Sequence, residues 1–398
     1  MKSNLKNLKV ELQQELQSIL SYWIENTIDK KNGGFIGQID YNNIGHGEAE
    51  KGSVLNARVL WTFSAAYSIS KNEDYLNTAK RAFEYLSEHF YDKEFGGVFW
   101  SINPDGTPKD TKNQIYALAF VIYGLSEFYS ISKDEKALEL AISLYNKIQK
   151  YSYDSAKGGY FEAFTRDWQA IDDLRLSEKD ANEKKTMNTH LHIVEAYANL
   201  YKVWKNESLQ KVTVELLETI EKYFINTETG HLRLFFDENW IEKKDVISYG
   251  HDIEAAWLLL QCAEIVGDEE LISRYQKYAI QIAEVTKEGI DQDGGLWYEY
   301  DPAADELMAE KHWWPQAELM IGYYTAWELS GKEEYLNILF KNWDFTQQHI
   351  IDKENGEWIW GIYQDYSLME KDKAGFWKCP YHNGRACIEL ISRIQDIE

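Results

Sequence analysis

The sequence has few of the residues that mark secreted, zinc-binding or membrane-spanning proteins. Its 398 residues include three cysteines, Cys262, Cys379 and Cys387, with no Cys-x-x-Cys spacing, so neither a disulfide framework nor a zinc ribbon is predicted. No apolar run approaches the roughly 20 residues that a bilayer span needs, and the polar start MKSNLKNLKVELQQEL lacks a signal-peptide core. We therefore expect a soluble, cytoplasmic protein that does not interact with membranes.

Basic clusters and prolines are also scarce. Lysine and arginine total 42 against 66 acidic residues, which gives a net charge of −24, and no Lys/Arg-rich run is present to bind phosphates. Nucleic acid is therefore not expected as a partner. Only five prolines occur, which permits much helix, whereas aromatic residues are abundant at 15 Trp, 27 Tyr and 16 Phe. Aromatic faces are the usual platform for the C–H surfaces of sugars.

A glycine-rich, aromatic segment recurs six times along the chain, about every 62 to 72 residues. The first five copies alternate apolar and polar positions after the glycines, which predicts short strands or hairpin arms, and the sixth is more aromatic throughout. The copies are GGFIGQID from Gly33, GGVFWSI from Gly96, GGYFEAF from Gly158, GHLRLFF from Gly230, GGLWYEY from Gly294 and GEWIWGIY from Gly356.

Two helical segments accompany each copy. Apolar segments predict inner helices at Ser53–Ile69, Asn113–Ile131, Met187–Val203, Tyr249–Val266, Pro315–Leu329 and Pro380–Ile394. More polar segments predict outer helices with one solvated face at Asn4–Trp23, Asp74–Tyr91, Asp134–Tyr151, Ser208–Phe224, Glu269–Thr286 and Glu333–His349. We predict an all-α fold, an (α/α)6 barrel with short β-hairpins in its loops, formed by residues 1–398 as a single domain. The alternative is an open helical solenoid that binds a protein along its concave face.

The repeat is also visible in letters, because YSISKNE at residues 67–73 reappears as YSISKDE at residues 129–135. Five of the six residues at one register position of the inner helices are ionisable. That position holds Arg58, Phe120, His192, Glu254, Glu318 and Arg385. Ionisable groups are costly on apolar helices unless they line a polar cavity. We therefore predict a polar pocket at the mouth where the N-terminal ends of the inner helices meet.

One turn earlier, the same register places two histidines, His251 and His382, at corresponding positions of the fourth and sixth repeats. The segment YGHDIEAAW puts His251, Glu254 and Trp257 on one side of a helix by i, i+3 spacing. We predict that the two imidazoles face one another across a bound substrate. A metal site and buried structural histidines are the alternatives, but no HExxH or other tight ligand spacing supports a metal, and none is expected.

Helical spacing also groups the other candidate side chains. Asn188 and His192 share a face at i, i+4, as do Trp314 and Glu318 in WWPQAE, whereas His190 points elsewhere and is assigned a structural role. Because the chain has 15 tryptophans, any one of them is more readily explained as core than as site.

Further stacking surface is predicted at Tyr116 and Trp377, and Arg385 follows His382 at i+3 in YHNGR. The chain has no GxGxxG after a strand, no GxxxxGK[ST] loop and no GxSxG elbow, so nucleotide chemistry and acyl transfer lose support.

Five segments match in order the pattern of the cellobiose 2-epimerases in the N-acylglucosamine 2-epimerase superfamily: KGSVLNARVLW, NTHLHIVEAY, SYGHDIEAAWLL, WWPQAE and WKCPYHNGR. The chain resembles this family over nearly its whole length, and its last motif is closer to the disaccharide branch than to the N-acylglucosamine branch. The resemblance implies an (α/α)6 barrel and inversion, without a cofactor, at C2 of the reducing-end sugar of a β-1,4-linked disaccharide. Cellobiose would become glucosyl-mannose, and lactose would become epilactose.

The resemblance also assigns roles to residues. It makes His251 and His382 the acid/base pair. Around the reducing sugar it places Arg58, Asn188, His192, Glu254 and Arg385. Against the disaccharide it places Trp314, Glu318 and Trp377, together with Tyr116 and Trp257. The expected partner is therefore a small-molecule disaccharide, bound by a monomer or a weak homodimer.

The chemistry of such an inversion calls for these groups. The C2 proton is acidic only when C1 is an aldehyde, so the pyranose must open before a base such as histidine removes that proton. The resulting cis-enediolate needs donors such as Arg58 or His192, and Glu254 is placed to orient or tune His251. Inversion requires either a second acid/base on the opposite face, which His382 would supply, or rotation of the intermediate. Protonation at C1 instead would give the ketose, for example lactulose from lactose.

Three other functions remain open at this point. An N-acylglucosamine 2-epimerase or a mannose–fructose isomerase would share the fold. An (α/α)6 glycoside hydrolase would use an acid and a base carboxylate, for which Glu254 and Glu318 are candidates. A non-catalytic sugar-binding toroid would leave the paired histidines unexplained.

Overall fold

A computed structural model of the chain describes residues 2–177 and 181–394. These residues contain twelve α-helices, which alternate between an outer and an inner ring. The outer helices are α1 (Lys2–Asn26), α3 (Glu73–Tyr85), α5 (Glu135–Tyr151), α7 (Glu207–Tyr223), α9 (Glu269–Thr286) and α11 (Glu333–His349). The inner helices are α2 (Ser53–Ser70), α4 (Ile115–Ser132), α6 (Met187–Val203), α8 (Tyr249–Val266), α10 (Trp313–Ser330) and α12 (Tyr381–Arg393).

The two rings differ in how much of each helix they bury. On α5 the buried side chains form one stripe, at Ala137, Ala141, Leu144, Tyr145 and Ile148. On α4 every residue from Ile115 to Ser126 is buried, because an inner helix packs against two ring neighbours and an outer helix. Amphipathic and uniformly apolar sequences therefore give outer and inner helices respectively, as the periodicity predicts.

The inner helices close into a ring. Each contacts the next, from α2 through α4, α6, α8 and α10 to α12, and α12 contacts α2 again. Closure confirms the (α/α)6 barrel over the open solenoid. Three indole N–H groups also donate to carboxylates where the first and last repeats meet: Trp343 to Glu11 at 2.7 Å, Trp358 to Glu15 at 2.8 Å and Trp23 to Glu357 at 2.5 Å.

Some helix ends differ from the predicted ones. Helix α10 begins at Trp313, two residues before Pro315, because proline is tolerated in a first turn whose N–H groups have no helical partners. Helix α3 ends at Tyr85 and continues as a π-helical turn, Leu86–Phe90. Helix α4 begins two residues late because Asn113 and Gln114 form a strand.

Short antiparallel strands confirm the predicted hairpins. They are β1 (Lys51–Gly52), β2 (Ser101–Ile102), β3 (Pro108–Asp110), β4 (Asn113–Gln114), β5 (Ala163–Phe164), β6 (Lys185–Thr186), β7 (Phe235–Phe236), β8 (Glu242–Lys244), β9 (Ile247–Ser248), β10 (Glu299–Asp301), β11 (Glu306–Met308), β12 (Glu310–His312) and β13 (Gly361–Tyr363). A strand directly before each of the first five inner helices pairs with a strand of the next repeat, for example β1 with β2 and β9 with β10. The strands therefore join neighbouring repeats at the mouth of the barrel.

Helix α4 is a partial exception to the expectation about membrane segments. In the described part of the chain it is the one helix long and apolar enough to cross a membrane, but 72% of its residues are buried inside the protein. Its apolar character is accounted for by its place in the inner ring, where it packs on all sides.

Candidate active site

Five ionisable side chains at the predicted register position lie inside the barrel near its mouth. None is more than 3% exposed: Arg58, His192, Glu254, Glu318 and Arg385. Charged groups are buried at this density only where they are paired with one another. The pocket is therefore built on a network of hydrogen-bonded charges.

Arg385 is the centre of this network. One guanidinium nitrogen, Nη2, donates to Glu254 Oε1 at 2.6 Å and to Glu318 Oε1 at 2.7 Å, and the other, Nη1, donates to Glu195 Oε1 at 2.6 Å. Nη1 also contacts the hydroxyl of Tyr381, whose own oxygen lies 2.6 Å from Glu195. The planar fork of arginine suits this task, since it supplies several donors in fixed directions.

His382 is held by this charged network. Its Nδ1 lies 2.6 Å from Glu318 Oε1, and Glu318 Oε2 accepts a hydrogen bond from the indole of Trp257 at 3.0 Å. Because Arg385 and Trp257 both donate to Glu318, its carboxylate acts as an acceptor and Nδ1 of His382 carries the hydrogen. Burial lowers the pKa of His382 well below its usual value. The ring is therefore neutral, with the Nε2 lone pair available to a ligand.

His251 lies in the first turn of α8 and is partly exposed. Its Nδ1 lies 2.8 Å from the Ser248 hydroxyl, and burial lowers its pKa to about 4. The ring packs against Trp314 at a centroid distance of 4.8 Å, and His382 lies against the same indole at 5.6 Å. The structure thus brings both histidines to one tryptophan, so the two rings cannot lie farther apart than the sum of those distances.

Arg58 and several aromatic rings form a second group of side chains at the mouth, separate from the two histidines. Arg58 donates from Nη2 to the Tyr116 hydroxyl at 2.8 Å, and its guanidinium lies 4.1 Å from the centre of the Phe120 ring. The Tyr116 ring is 5.1 Å from His192 and 6.1 Å from Trp377. These contacts place Tyr116, a predicted stacking residue, beside the Arg58 guanidinium and within a group of aromatic rings that includes Trp377.

Glu195 joins the two parts of the site. Its Oε2 lies 2.8 Å from Nδ1 of His192, while its other oxygen bonds to Arg385 and Tyr381. Burial alone would raise the pKa of Glu195, but the Arg385 guanidinium and the hydrogen bonds from His192 and Tyr381 lower it to about 2. The carboxylate is therefore ionised and orients the His192 ring.

Comparison with known proteins identifies the fold and the family. The family model for N-acylglucosamine 2-epimerase (GlcNAc 2-epimerase) matches residues 34–386. This chain belongs to that epimerase family. A cellobiose 2-epimerase from Bacteroides fragilis is 49% identical over 386 residues, which cover 96% of this chain and 98% of the relative. A cellobiose 2-epimerase from Ruminococcus albus is 38% identical over 97% of this chain and 99% of its own length.

Solved structures agree with this assignment. The cellobiose 2-epimerase from Bacillus thermoamylovorans B4167 superposes with a TM-score of 0.93 at 36% identity, covering 98% of this chain and all of the other. More distant relatives include a rat N-acylglucosamine 2-epimerase at 24% identity and a D-mannose isomerase from Marinomonas mediterranea at 22%. A GH76 α-mannanase from Bacteroides thetaiotaomicron, at 11% identity and a TM-score of 0.66, shares the fold alone.

The other residues predicted for the site differ in how exposed they are. Asn188 is partly exposed, and its Oδ1 is a buried acceptor without a hydrogen-bond partner among the described residues. By contrast, Trp257, Glu318 and Arg385 are at most 2% exposed and bond to one another. Their contact with substrate stays a prediction.

Sequence reasoning missed three residues that the structure places in the candidate site. Glu195 and Tyr381 belong to the charged network, and Ser248 contacts His251. The spacing of His192 and Glu195 at i, i+3 was a visible signal within NTHLHIVEAY. His190, assigned a structural role, is fully buried and accepts a backbone N–H on the far side of α6.

Glu254, Glu318 and His382 place potential metal ligands within 4.8 Å of one another. Arg385 already donates to both of these carboxylates, and His382 Nδ1 is bonded to Glu318. The guanidinium therefore supplies the positive charge between them. That the epimerase needs no metal remains a prediction.

Proposed function

We propose that this enzyme is a cellobiose 2-epimerase, which inverts C2 of the reducing-end glucose of cellobiose and lactose. The observation that carries the proposal is the pair of imidazoles, His251 and His382, held against one indole at the mouth of the pocket. The relatives named cellobiose 2-epimerases, which align over nearly the whole chain, support the choice of substrate class.

The reaction begins with opening of the sugar ring, since only the aldehyde form has an acidic C2 proton. One imidazole then removes that proton, and the electron pair of the C–H bond moves into a C1–C2 double bond, which leaves negative charge on O1. The other imidazole donates a proton to the opposite face of C2. One ring must therefore be neutral and the other protonated when C2 is deprotonated. Both rings are neutral in the unliganded enzyme, so one of them takes up a proton from solvent before this step, and the two exchange these states as the configuration inverts.

Arg58 and His192 are placed to stabilise the intermediate. Arg58 donates to the Tyr116 hydroxyl at 2.8 Å, and the Tyr116 ring lies 5.1 Å from His192. Preorganised donors of this kind stabilise an enediolate because they need no rearrangement when the charge develops. Misplaced protonation at C1 would yield the ketose, so slow isomerisation of lactose to lactulose is expected from the same site.

His382 has a carboxylate partner suited to acid/base chemistry. Protonation of its Nε2 gives an imidazolium whose Nδ1–H points at Glu318, the arrangement found in other histidine–carboxylate pairs. The stacking faces of Trp314 and Trp377 and the amide of Asn188 would hold the sugars of the disaccharide.

Two rival functions are less well supported. A glycoside hydrolase needs one carboxylic acid and one carboxylate across a bond, but a single nitrogen of Arg385 binds both Glu254 and Glu318 and keeps them close together. The N-acylglucosamine and mannose enzymes are relatives at 24% and 22% identity, against 49% for a cellobiose 2-epimerase.

The test is incubation of the purified enzyme with cellobiose, lactose, mannose and N-acetylglucosamine, with chromatographic separation of the products. We expect glucosyl-mannose and epilactose, with deuterium at C2 of the new mannose unit when the reaction runs in deuterium oxide. Release of glucose, or turnover of the monosaccharides alone, would overturn the proposal. A product free of deuterium would instead contradict the two-histidine route.

A further inference from the structure

A repeated contact attaches the first turn of an inner helix to the hairpin before it. The contact is present in the third, fourth and fifth repeats. Its acceptor is the side chain of the fourth residue of the inner helix. Its donor is a backbone N–H of the hairpin, two residues after the first glycine. The pairs are Tyr160 N–H to His190 Nε2 at 2.9 Å, Leu232 N–H to Asp252 Oδ1 at 2.8 Å and Leu296 N–H to Gln316 Oε1 at 2.8 Å. Each contact holds the turn that carries site residues.

The fourth repeat makes this contact differently. The third and fifth repeats have a second glycine, Gly159 and Gly295, where the fourth has His231. Nδ1 of His231 lies 2.7 Å from Asp252 Oδ2, so the aspartate binds both the His231 ring and the next backbone N–H. Asp252 is 1% exposed and directly follows His251 in α8.

The fourth repeat also lacks a buried ion pair that is present in the first, third and fifth repeats. Two residues before α2, α6 and α10 stands a buried lysine that pairs with an aspartate of the same hairpin. These pairs are Lys51 with Asp29 at 2.8 Å, Lys185 with Asp154 at 2.8 Å and Lys311 with Asp291 at 2.6 Å. The corresponding residues of the fourth repeat are Ile247 and Asn226, which cannot form an ion pair.

A cavity of about 210 Å³ lies at this place in the fourth repeat, and Asn226, His231 and Ile247 are among its lining residues. The hairpin is therefore attached to α8 without the buried lysine, so the bonds of Asp252 carry more of the attachment than those of His190 and Gln316 do in the third and fifth repeats. His231 itself is 5% exposed, so removal of its ring would extend this cavity up to Asp252.

His251 depends on this attachment because little else holds its ring. Its hydrogen-bond partner in the described part of the chain is the neutral hydroxyl of Ser248, and its ring packs on Trp314. The direction of the imidazole is thus set chiefly by the backbone of the first turn of α8. We propose that His231 is a positioning residue for His251, acting through Asp252. This inference rests on the proposed function, in which His251 is one of the two acid/bases.

The matched test uses three variants of His231. His231→Gly restores the residue of the neighbouring repeats and removes the donor, and we expect kcat for epimerisation to fall about tenfold to hundredfold with little change in KM. His231→Asn places its amide nitrogen where Nδ1 was, so kcat should stay within about threefold of the natural enzyme. His231→Gln moves the nitrogen away from Asp252 and should behave like the glycine variant.

Two controls separate positioning from general loosening of the hairpin. Lys243→Ala breaks a partly exposed ion pair with Asp237 in the same hairpin, 2.9 Å long, and should leave kcat unchanged. Free imidazole should restore part of the activity of His231→Gly with saturation, because the cavity admits it, and should not activate the natural enzyme. A glycine variant that is less stable to heat but has unchanged kcat would overturn the proposal, as would equal activity of the Asn and Gln variants.

A second measurement does not depend on turnover. With 13C-labelled histidine, the ring signals of His251 should move in His231→Gly and return to their natural positions in His231→Asn. If the natural enzyme failed to epimerise any disaccharide, the proposed function would fall while this spectrum still tested the positioning of His251. Unmoved His251 signals in the glycine variant would overturn the positioning role whatever the activity.

Discussion

The two histidines of the pocket are held in opposite ways. His382 is bonded to Glu318, which is itself fixed by Arg385 and Trp257, so its orientation is set by buried charges. His251 is held by a hydrogen bond with the neutral hydroxyl of Ser248 and by the backbone turn on which it lies. The His382 ring is therefore oriented by its side-chain partners and the His251 ring by the geometry of its helix, so we expect the two sides of the site to differ in their sensitivity to mutation.

Removal of either imidazole should have the largest effect. We expect His251→Ala and His382→Ala each to lower kcat about a thousandfold or more, because in the proposed mechanism each histidine transfers a proton at C2. Circular dichroism should show the fold retained in both. Near-native turnover by either variant would contradict the two-histidine mechanism.

The next largest effect is expected on the charged side. Glu318→Gln removes the carboxylate that bonds to His382 and to Arg385, and kcat should fall about a hundredfold because a charge-assisted hydrogen bond is lost. The midpoint of thermal unfolding should also fall, since Arg385 keeps its charge with one partner fewer. Steady-state kinetics and calorimetry check both, and unchanged kcat would show that Glu318 does not act on His382.

A smaller effect is expected on the neutral side. Ser248→Ala removes one hydrogen bond to His251 and should lower kcat about fivefold, the usual effect of one neutral hydrogen bond. Thermal unfolding should change little. If this variant lost as much activity as Glu318→Gln, the contrast between the two histidines would not hold.

The smallest expected effect is on the protonation of the two histidine rings in the unliganded enzyme. Burial lowers the pKa of His251 to about 4 and that of His382 well below the ordinary value of 6.5. Nuclear magnetic resonance of the rings should therefore show no titration between pH 8 and pH 5, and a midpoint near 6.5 for either ring would contradict this.

The same lowering of the pKa affects stability. The unfolded chain binds these protons more readily than the folded one, so the free energy of unfolding should fall as the pH drops from about 6.5 towards 4. His251→Asn should make that fall shallower, which denaturant titrations at several pH values would measure.

Much of the fold follows from periodicity. The alternation of amphipathic and apolar segments predicts all twelve helices, because burial on one side or on all sides leaves a clear pattern in the sequence. The predicted starts of α10 and α4 were wrong by two residues. Helix α10 begins at Trp313 because proline fits anywhere in a first turn, so Pro315 does not mark the first residue. Helix α4 begins at Ile115 because a strand of only two residues precedes it.

The candidate site was less predictable than the fold. Register brought His251, His382, Glu254, Glu318 and Arg385 together, because equivalent positions of parallel helices must meet at one level. It did not show which carboxylates Arg385 would bind. Partner choice depends on side-chain rotamers and on distances between helices that are remote in sequence, and these leave no local pattern.

Trp257 illustrates the same limit. Its i, i+3 spacing from Glu254 is correct for one side of α8, yet its indole turns inward to Glu318 and is 2% exposed. Spacing identifies a helix face, but it does not show which side chains on that face are covered by their neighbours.

The parallel arrangement of the inner helices has an electrostatic consequence for the whole mouth. Six helix N-termini open towards the same small volume, and each carries the positive end of a peptide dipole, equivalent to roughly half an elementary charge. Although the protein has a net charge of −24, the backbone at this mouth therefore favours negative charge. If the proposed enediolate forms there, the helix N-termini would stabilise its negative charge without movement of any side chain.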